Sequence, residues 1–167
     1  ENEVREELYT EISCPKDDSE LSLLIEEYFN IGEIVEYRCE GCGYNGLAEK
    51  KSSLQDIRST KFLTVILRRT ELHRGRPFVN TNNVTALQNI KIRDVENIEA
   101  RFEPISVVEH QGVLRNDGTS SGHYTADVKN QALNQWYRTS DNAVPSAINP
   151  SSVTKRGYIF LYKNIDI

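Results

Sequence analysis

Only one stretch of this chain carries a helical repeat. Leu21, Leu24, Ile25, Tyr28 and Phe29 fall at i, i+3, i+4, i+7 and i+8, a single apolar stripe. The spacing predicts a helix over Ser19–Asn30, with Asp17, Asp18 and Ser19 as cap candidates and Gly32 as its stop. Everything after it is strand-like. Ile34–Arg38 alternates, and Lys61–Arg69 has a mainly apolar centre interrupted only at Thr64. Ile105–Glu109, Tyr124–Lys129, Gln135–Arg138 and Tyr158–Tyr162 are further strands, with turn-rich segments at Arg115–Gly122 and Asn142–Ser152. Residues 71–83, with Gly75, Pro77 and three asparagines, read as an exposed connection. One helix followed by many strands is the pattern of an α+β fold with a mainly antiparallel sheet.

At 167 residues with 38% hydrophobic side chains, the chain can bury the core of one domain. The longest mainly apolar stretch, Phe62–Leu67, is far short of the roughly 20 residues of a spanning helix, and no signal peptide is evident, so no membrane partner is expected. The net charge of −5 argues against a phosphate-backbone binder, so none is expected for nucleic acid either. The charge is uneven, with 13 acidic and 3 basic side chains in residues 1–40 against 12 and 17 in the remainder. An acidic first quarter suits a basic partner surface or simply a solvated face.

Three cysteines, two of them spaced Cys39-x-x-Cys42, fit a reducing cytoplasmic or nuclear setting better than a disulfide framework. There the sequon Asn83-Val84-Thr85 would stay unmodified. The chain has no methionine, which suggests a processed product or part of a longer protein.

Two constellations could carry chemistry. In Cys39-Glu40-Gly41-Cys42-Gly43 the glycines permit a tight chelating knuckle, but a structural zinc needs four ligands. Cys14 lies far upstream, and His73, His110 and His123 offer no second paired spacing. A complete zinc site, half of a shared site and two unligated thiols all remain open. The second is Ser121-Gly122-His123-Tyr124-Thr125-Ala126, where a histidine at a loop-to-strand junction can be held rigidly as a general base. If the following strand forms a hairpin, Ser140, Asp141 or Asn142 returns near that imidazole and can fix its tautomer.

A longer ordered set contains these pieces. Tyr37-Arg38-Cys39-x-x-Cys42, Ala48-x-Lys50, Phe62-Leu63-x-Val65-x-Leu67-x-Arg69, Val107-Val108-x-His110-x-Gly112, Ser121 to Ala126, Trp136 with Asp141 and Val144, and Tyr158-Ile159-x-x-Tyr162 follow one another along nearly the whole chain. The set resembles the ubiquitin-specific proteases, papain-like cysteine proteases shaped as fingers, palm and thumb. The resemblance implies the C-terminal part of such a catalytic domain, with fingers at about residues 1–60, a palm at about 61–167, and His123 as the base activating a cysteine thiol. It also implies that ubiquitin, or a ubiquitinated protein, is the partner, gripped in part by the acidic first quarter, and that the loop Arg115–Gly122 borders the channel for ubiquitin's tail.

Three departures from that family matter. Nothing matches its cysteine box, and Cys14 is a poor substitute, so the nucleophile is expected from an upstream segment or another chain and this chain alone is expected to be inactive. The polar pair after Trp136, commonly acidic, is Ser140-Asp141, so Asp141 takes over the orienting role or the triad is weakened. The phenylalanine often found after Arg69 is Thr70. The family's fingers join two Cys-x-x-Cys pairs, so Cys39 and Cys42 are expected to be a zinc half-site with weak or absent occupancy. Part of a deubiquitinating protease that hydrolyses the isopeptide bond after ubiquitin's C-terminal glycine is the leading expectation. A catalytically silent ubiquitin-binding or scaffolding module is the alternative, and an unrelated zinc-ribbon protein a third.

Overall fold

A computed structural model describes residues 9–30, 32–73, 75–114 and 120–167. In chain order the elements are β1 (Thr10–Ser13), β2 (Ser19–Glu20), α1 (Leu21–Asn30), β3 (Glu33–Arg38), β4 (Asn45–Lys50), β5 (Phe62–Arg68), β6 (Thr70–His73) and β7 (Arg76–Val79). They continue as β8 (Val84–Thr85), β9 (Ile90–Arg93), β10 (Glu99–Leu114), β11 (Ser120–Asn130), β12 (Gln135–Thr139), β13 (Ser146–Ile148), a 3-10 turn (Pro150–Ser152) and β14 (Gly157–Asn164). The expected α+β class with a mainly antiparallel sheet is what the chain adopts.

An eight-stranded sheet runs β1-β5-β14-β10-β11-β12-β13, with β9 also paired to β10. Every pairing in it is antiparallel except that of β1 with β5. Alternation explains its buried face: Leu63, Val65 and Leu67 of β5, Phe160 and Tyr162 of β14, and Phe102 and Val107 of β10 all point to one side and are nearly inaccessible. The α1 stripe supplies Leu21 and Ile25 to this core, and Ile57, Val84, Ile90, Ile92 and Trp136 complete it. Pro104 is tolerated inside the central strand β10 because the pairing with β14 shifts register between Pro104 and Ser106.

Several expectations are corrected. The helix begins at Leu21, since Ser19 and Glu20 pair with Val84 and Thr85. Asp18, three residues before the helix, instead accepts from the Asn83 backbone N–H at 2.8 Å and the Asn83 side-chain amide at 3.0 Å. Residues 71–83 are not a bare connection but contain the hairpin β6–β7, after which buried Asn80 and neighbouring Asn82 donate side-chain amides to the Pro15 carbonyl at 2.9 and 3.1 Å. Of the turn expected at 115–122, residues 120–122 belong to β11 and 115–119 lie outside the described residues. The turn-rich 142–152 contains β13. Apart from the large sheet, β3 and β4 form a separate two-stranded hairpin, and β1 is an edge strand of the large sheet.

Candidate functional site

The site is built where β10, β11 and β12 run side by side. His110 pairs with Tyr124, Gln111 with His123, and Gly112 with Gly122. The facing glycines are required by space: a Cβ on Gly122 would come within 2.6 Å of the Gln111 carbonyl oxygen, and one on Gly112 within 2.7 Å of the Ser121 carbonyl oxygen. The His110 ring occupies that flat spot, 4.5 Å between centroids from the Tyr124 ring. Alternation sends His123 to the opposite face, shared with buried Asp127 four residues along.

At the end of β12 the chain turns back through Ser140–Ala143, closed by the Ala143 N–H donating to the Ser140 carbonyl at 2.9 Å. Asp141 sits in this turn with φ of +42°, a left-handed conformation that Asp tolerates better than most residues. The turn delivers two polar groups to one imidazole. His123 Nε2 lies 2.5 Å from Ser140 Oγ, and His123 Nδ1 lies 3.4 Å from Asp141 Oδ2. The His123 side chain is 44% exposed and that of Asp141 76%.

These partners fix the ring's chemistry. An ionised carboxylate only accepts, so in the tautomer with its proton on Nδ1 the ring N–H faces Asp141. The Ser140 hydroxyl donates to Nε2 of the neutral ring and turns to accept when that nitrogen is protonated. The cluster can therefore take up and return a proton, which is what a general base does. The expected meeting of His123 with the Ser140-Asp141 pair is thus the geometry present.

The thiols lie elsewhere. Cys14 follows edge strand β1, four strand spacings from β11, which puts it roughly 19 Å from the base at the usual inter-strand distance. It is buried, with Arg69 Nη1 3.4 Å from its sulfur, and burial pushes the thiol's pKa up, against nucleophilic character. Cys39 and Cys42 stand at the tip of the β3–β4 hairpin. There the Gly43 N–H donates to the Cys39 carbonyl at 2.9 Å and Gly43 takes φ of +74°. That is a tight knuckle, but no group of three or more His, Cys, Asp or Glu side chains able to hold a metal occurs among the described residues. Two thiols are half of a tetrahedral donor set, so the residues present do not fit a structural zinc by themselves.

Missed from the sequence was the polar scaffold behind the site. Asp127 and Arg138 form an ion pair, Thr154 joins Asp127 to Glu109, and Arg69 collects carbonyls from two segments, 80–82 and 155–157. No local signal marks Asp127, since its face of β11 also carries His123, Thr125 and Lys129; only the cross-strand register with Arg138 identifies it.

The model of the ubiquitin carboxyl-terminal hydrolase family matches residues 3–162. No curated protein sequence matches. Among solved structures, the chain is similar to the SAGA Ubp8/Sgf11/Sus1/Sgf73 DUB module bound to ubiquitin aldehyde, at 20% identity and a TM-score of 0.65, covering 94% of this chain and 36% of that one. A Ubp8 variant of the same module bound to monoubiquitin gives 20% identity and 0.65 over 94% and 35%. The yeast SAGA DUBm with an Sgf73 mutant gives 19% and 0.65 over 94% and 35%. The chain thus spans about a third of the length of the solved chains it matches, and at these identities the likeness is one of fold. Among the described residues no helix is long and apolar enough to cross a membrane.

Proposed function

The chain belongs to the ubiquitin carboxyl-terminal hydrolase family, and from that premise we propose that it supplies the general base of a deubiquitinating cysteine protease acting on the isopeptide bond after ubiquitin's C-terminal glycine. The observation that carries this reading is the His123 ring bracketed by Ser140 and Asp141 at the end of a β-hairpin. Ubiquitin in the similar Ubp8 structures supports ubiquitin as the partner here. A cytoplasmic or nuclear setting follows from the same reading.

The chemistry runs through proton transfer at His123. A thiol from an upstream segment or a second chain gives its proton to the imidazole, and the thiolate attacks the carbonyl carbon of ubiquitin's terminal glycine. The imidazolium returns the proton to the departing lysine amine as the C–N bond breaks, leaving a thioester. Water, deprotonated by His123, then hydrolyses the thioester and restores the thiol. Both ring nitrogens are occupied, so the approaching sulfur has to displace one partner. Asp141, at 3.4 Å and largely exposed, is the one held less firmly; when it gives way, the ring proton resides on Nε2 and is donated to the Ser140 oxygen, so Nδ1 is free to take the thiol proton while Ser140 stays as the orienting group. Zinc enters no step.

The test is turnover of a ubiquitin C-terminal fluorogenic substrate. Alone, the chain should show none. Combined with a segment carrying the family's catalytic cysteine it should become active, and His123→Ala should then cost on the order of 10⁴-fold or more in rate. Robust turnover by the isolated chain would overturn the assignment. The position of Cys14, far from His123, favours one other reading, a silent module that binds ubiquitin without cleaving it. Ubiquitin binding without turnover in the reconstituted complex would select it.

A further inference from the structure

Behind the His123–Ser140 contact, β11 and β12 are fastened by charge in a place where sheets ordinarily use apolar packing. Asp127 is 1% exposed and lies directly opposite Arg138. Arg138 Nε and Nη2 each reach an Asp127 carboxylate oxygen at 2.8 Å, and Nη2 also donates to the Ser152 carbonyl at 2.9 Å. The Thr154 N–H donates to the same carboxylate at 2.7 Å, and the Thr154 hydroxyl donates to Glu109 at 2.6 Å. One cluster thus ties β10, β11, β12 and the segment after the 3-10 turn together.

Burying Asp127 against a guanidinium that is itself 41% exposed gains little stability over an apolar pair of similar size, because desolvation of the carboxylate offsets the attraction. What a bidentate guanidinium–carboxylate fork adds is a fixed angle and register. That matters two residues further on. Continuing the register beyond Ala126 and Thr139 sets Ser140 opposite Thr125, so its hydroxyl reaches His123 diagonally, a contact sensitive to any slide or splay of the short β12. We propose that Asp127 and Arg138 are positioning residues that hold Ser140 against the His123 imidazole.

This inference rests on His123 being the base, but it is tested by where the ring sits and not by turnover, so its failure is distinguishable from failure of the proposed activity. The 167-residue chain, labelled with ¹⁵N at histidine, reports the hydrogen bonding of each His123 ring nitrogen, Nε2 to Ser140 above all, through its NMR shift well below the unfolding temperature. Arg138→Lys keeps the charge but not the fork, and Asp127→Asn keeps the shape but not the charge. Ile57→Ala, a core truncation away from the site, supplies a control of lowered stability. The expected result is loss of the wild-type pair of His123 ring-nitrogen shifts in Arg138→Lys and in Asp127→Asn, each read in its folded form, with those shifts intact in Ile57→Ala. Wild-type shifts in either variant once folded would overturn the proposal. An equal change in Ile57→Ala would also overturn it, since lowered stability alone would then account for the effect.

Discussion

Asp141 presents its carboxylate to His123 Nδ1 from a left-handed backbone position, so one residue meets both a conformational and an electrostatic demand. The two demands separate by substitution. Asp141→Gly accepts φ of +42° without strain while removing the carboxylate, whereas Asp141→Ala adds strain of about 1 kcal/mol or more.

Asp141→Gly should therefore keep the unfolding free energy within about 0.5 kcal/mol of wild type and release the Nδ1–H tautomer, while Ser140→Ala should preserve that tautomer. Ring-nitrogen NMR combined with urea unfolding checks both parts. Retention of Nδ1–H in Asp141→Gly would show that the carboxylate does not set the tautomer.

The three thiols should differ sharply in reactivity. Cys42 is exposed, and Cys14 is buried with its thiol pKa pushed up by that burial, against the nearby Arg69 charge that pulls it down. Because the thiolate reacts, Cys14 should gain rate only at higher pH than an open cysteine does. Brief iodoacetamide treatment of the native chain at pH 8 followed by mass spectrometry should find Cys42 modified and Cys14 intact. Fast labelling of Cys14 would contradict its placement beneath Arg69.

Arg69 is 4% exposed and donates to the Gly157 carbonyl at 2.8 Å, to those of Asn82 and Asn80 at 2.9 and 3.2 Å, and to that of Lys155 at 3.3 Å. Burial draws its guanidinium below the ordinary arginine range, yet it stays charged. Arg69→Met should cost about 3 kcal/mol or more, because several buried acceptors lose a donor. Arg69→Lys should recover only part, as an ammonium cannot span the same fork. Trp136, the single tryptophan and a buried one, makes unfolding readable by fluorescence. A loss under about 1 kcal/mol for Arg69→Met would show that water satisfies those carbonyls instead.

How far the sequence foretold this molecule depends on which residues carried each feature. The α1 stripe was legible because five apolar residues fall on one helical face. The full length of β10 was not, since Pro104 and Gly112 read as breakers; a register shift absorbs the first and the facing Gly122 explains the second. The hairpin β6–β7 hid among turn formers, because Asn80 and Asn82 serve as tethers to Pro15 and do not form turns alone. At the site, His123 and its polar partners were visible from their order along the chain. The Asp127–Arg138 fork was invisible because it depends on cross-strand register, which local pattern does not specify.

Acid should weaken one pairing near the C-terminal end. The Arg101 guanidinium hydrogen-bonds the Asp166 carboxylate at 2.6 Å and the Arg101 N–H adds a second bond at 2.7 Å, which together hold Asp166 below the ordinary carboxylate range. A group whose pKa is depressed by folding contributes stability that is fully present above its unfolded value, about 3.9, and is lost as pH falls through the folded value. The stability difference between wild type and Asp166→Asn should therefore stay constant from pH 7 to about 5 and shrink below about pH 4. Urea unfolding followed by Trp136 fluorescence across that range measures it. A difference that persists unchanged to the most acid conditions at which the chain still folds would mean that the hydrogen-bond geometry, and not the charge, carries the contribution of Asp166.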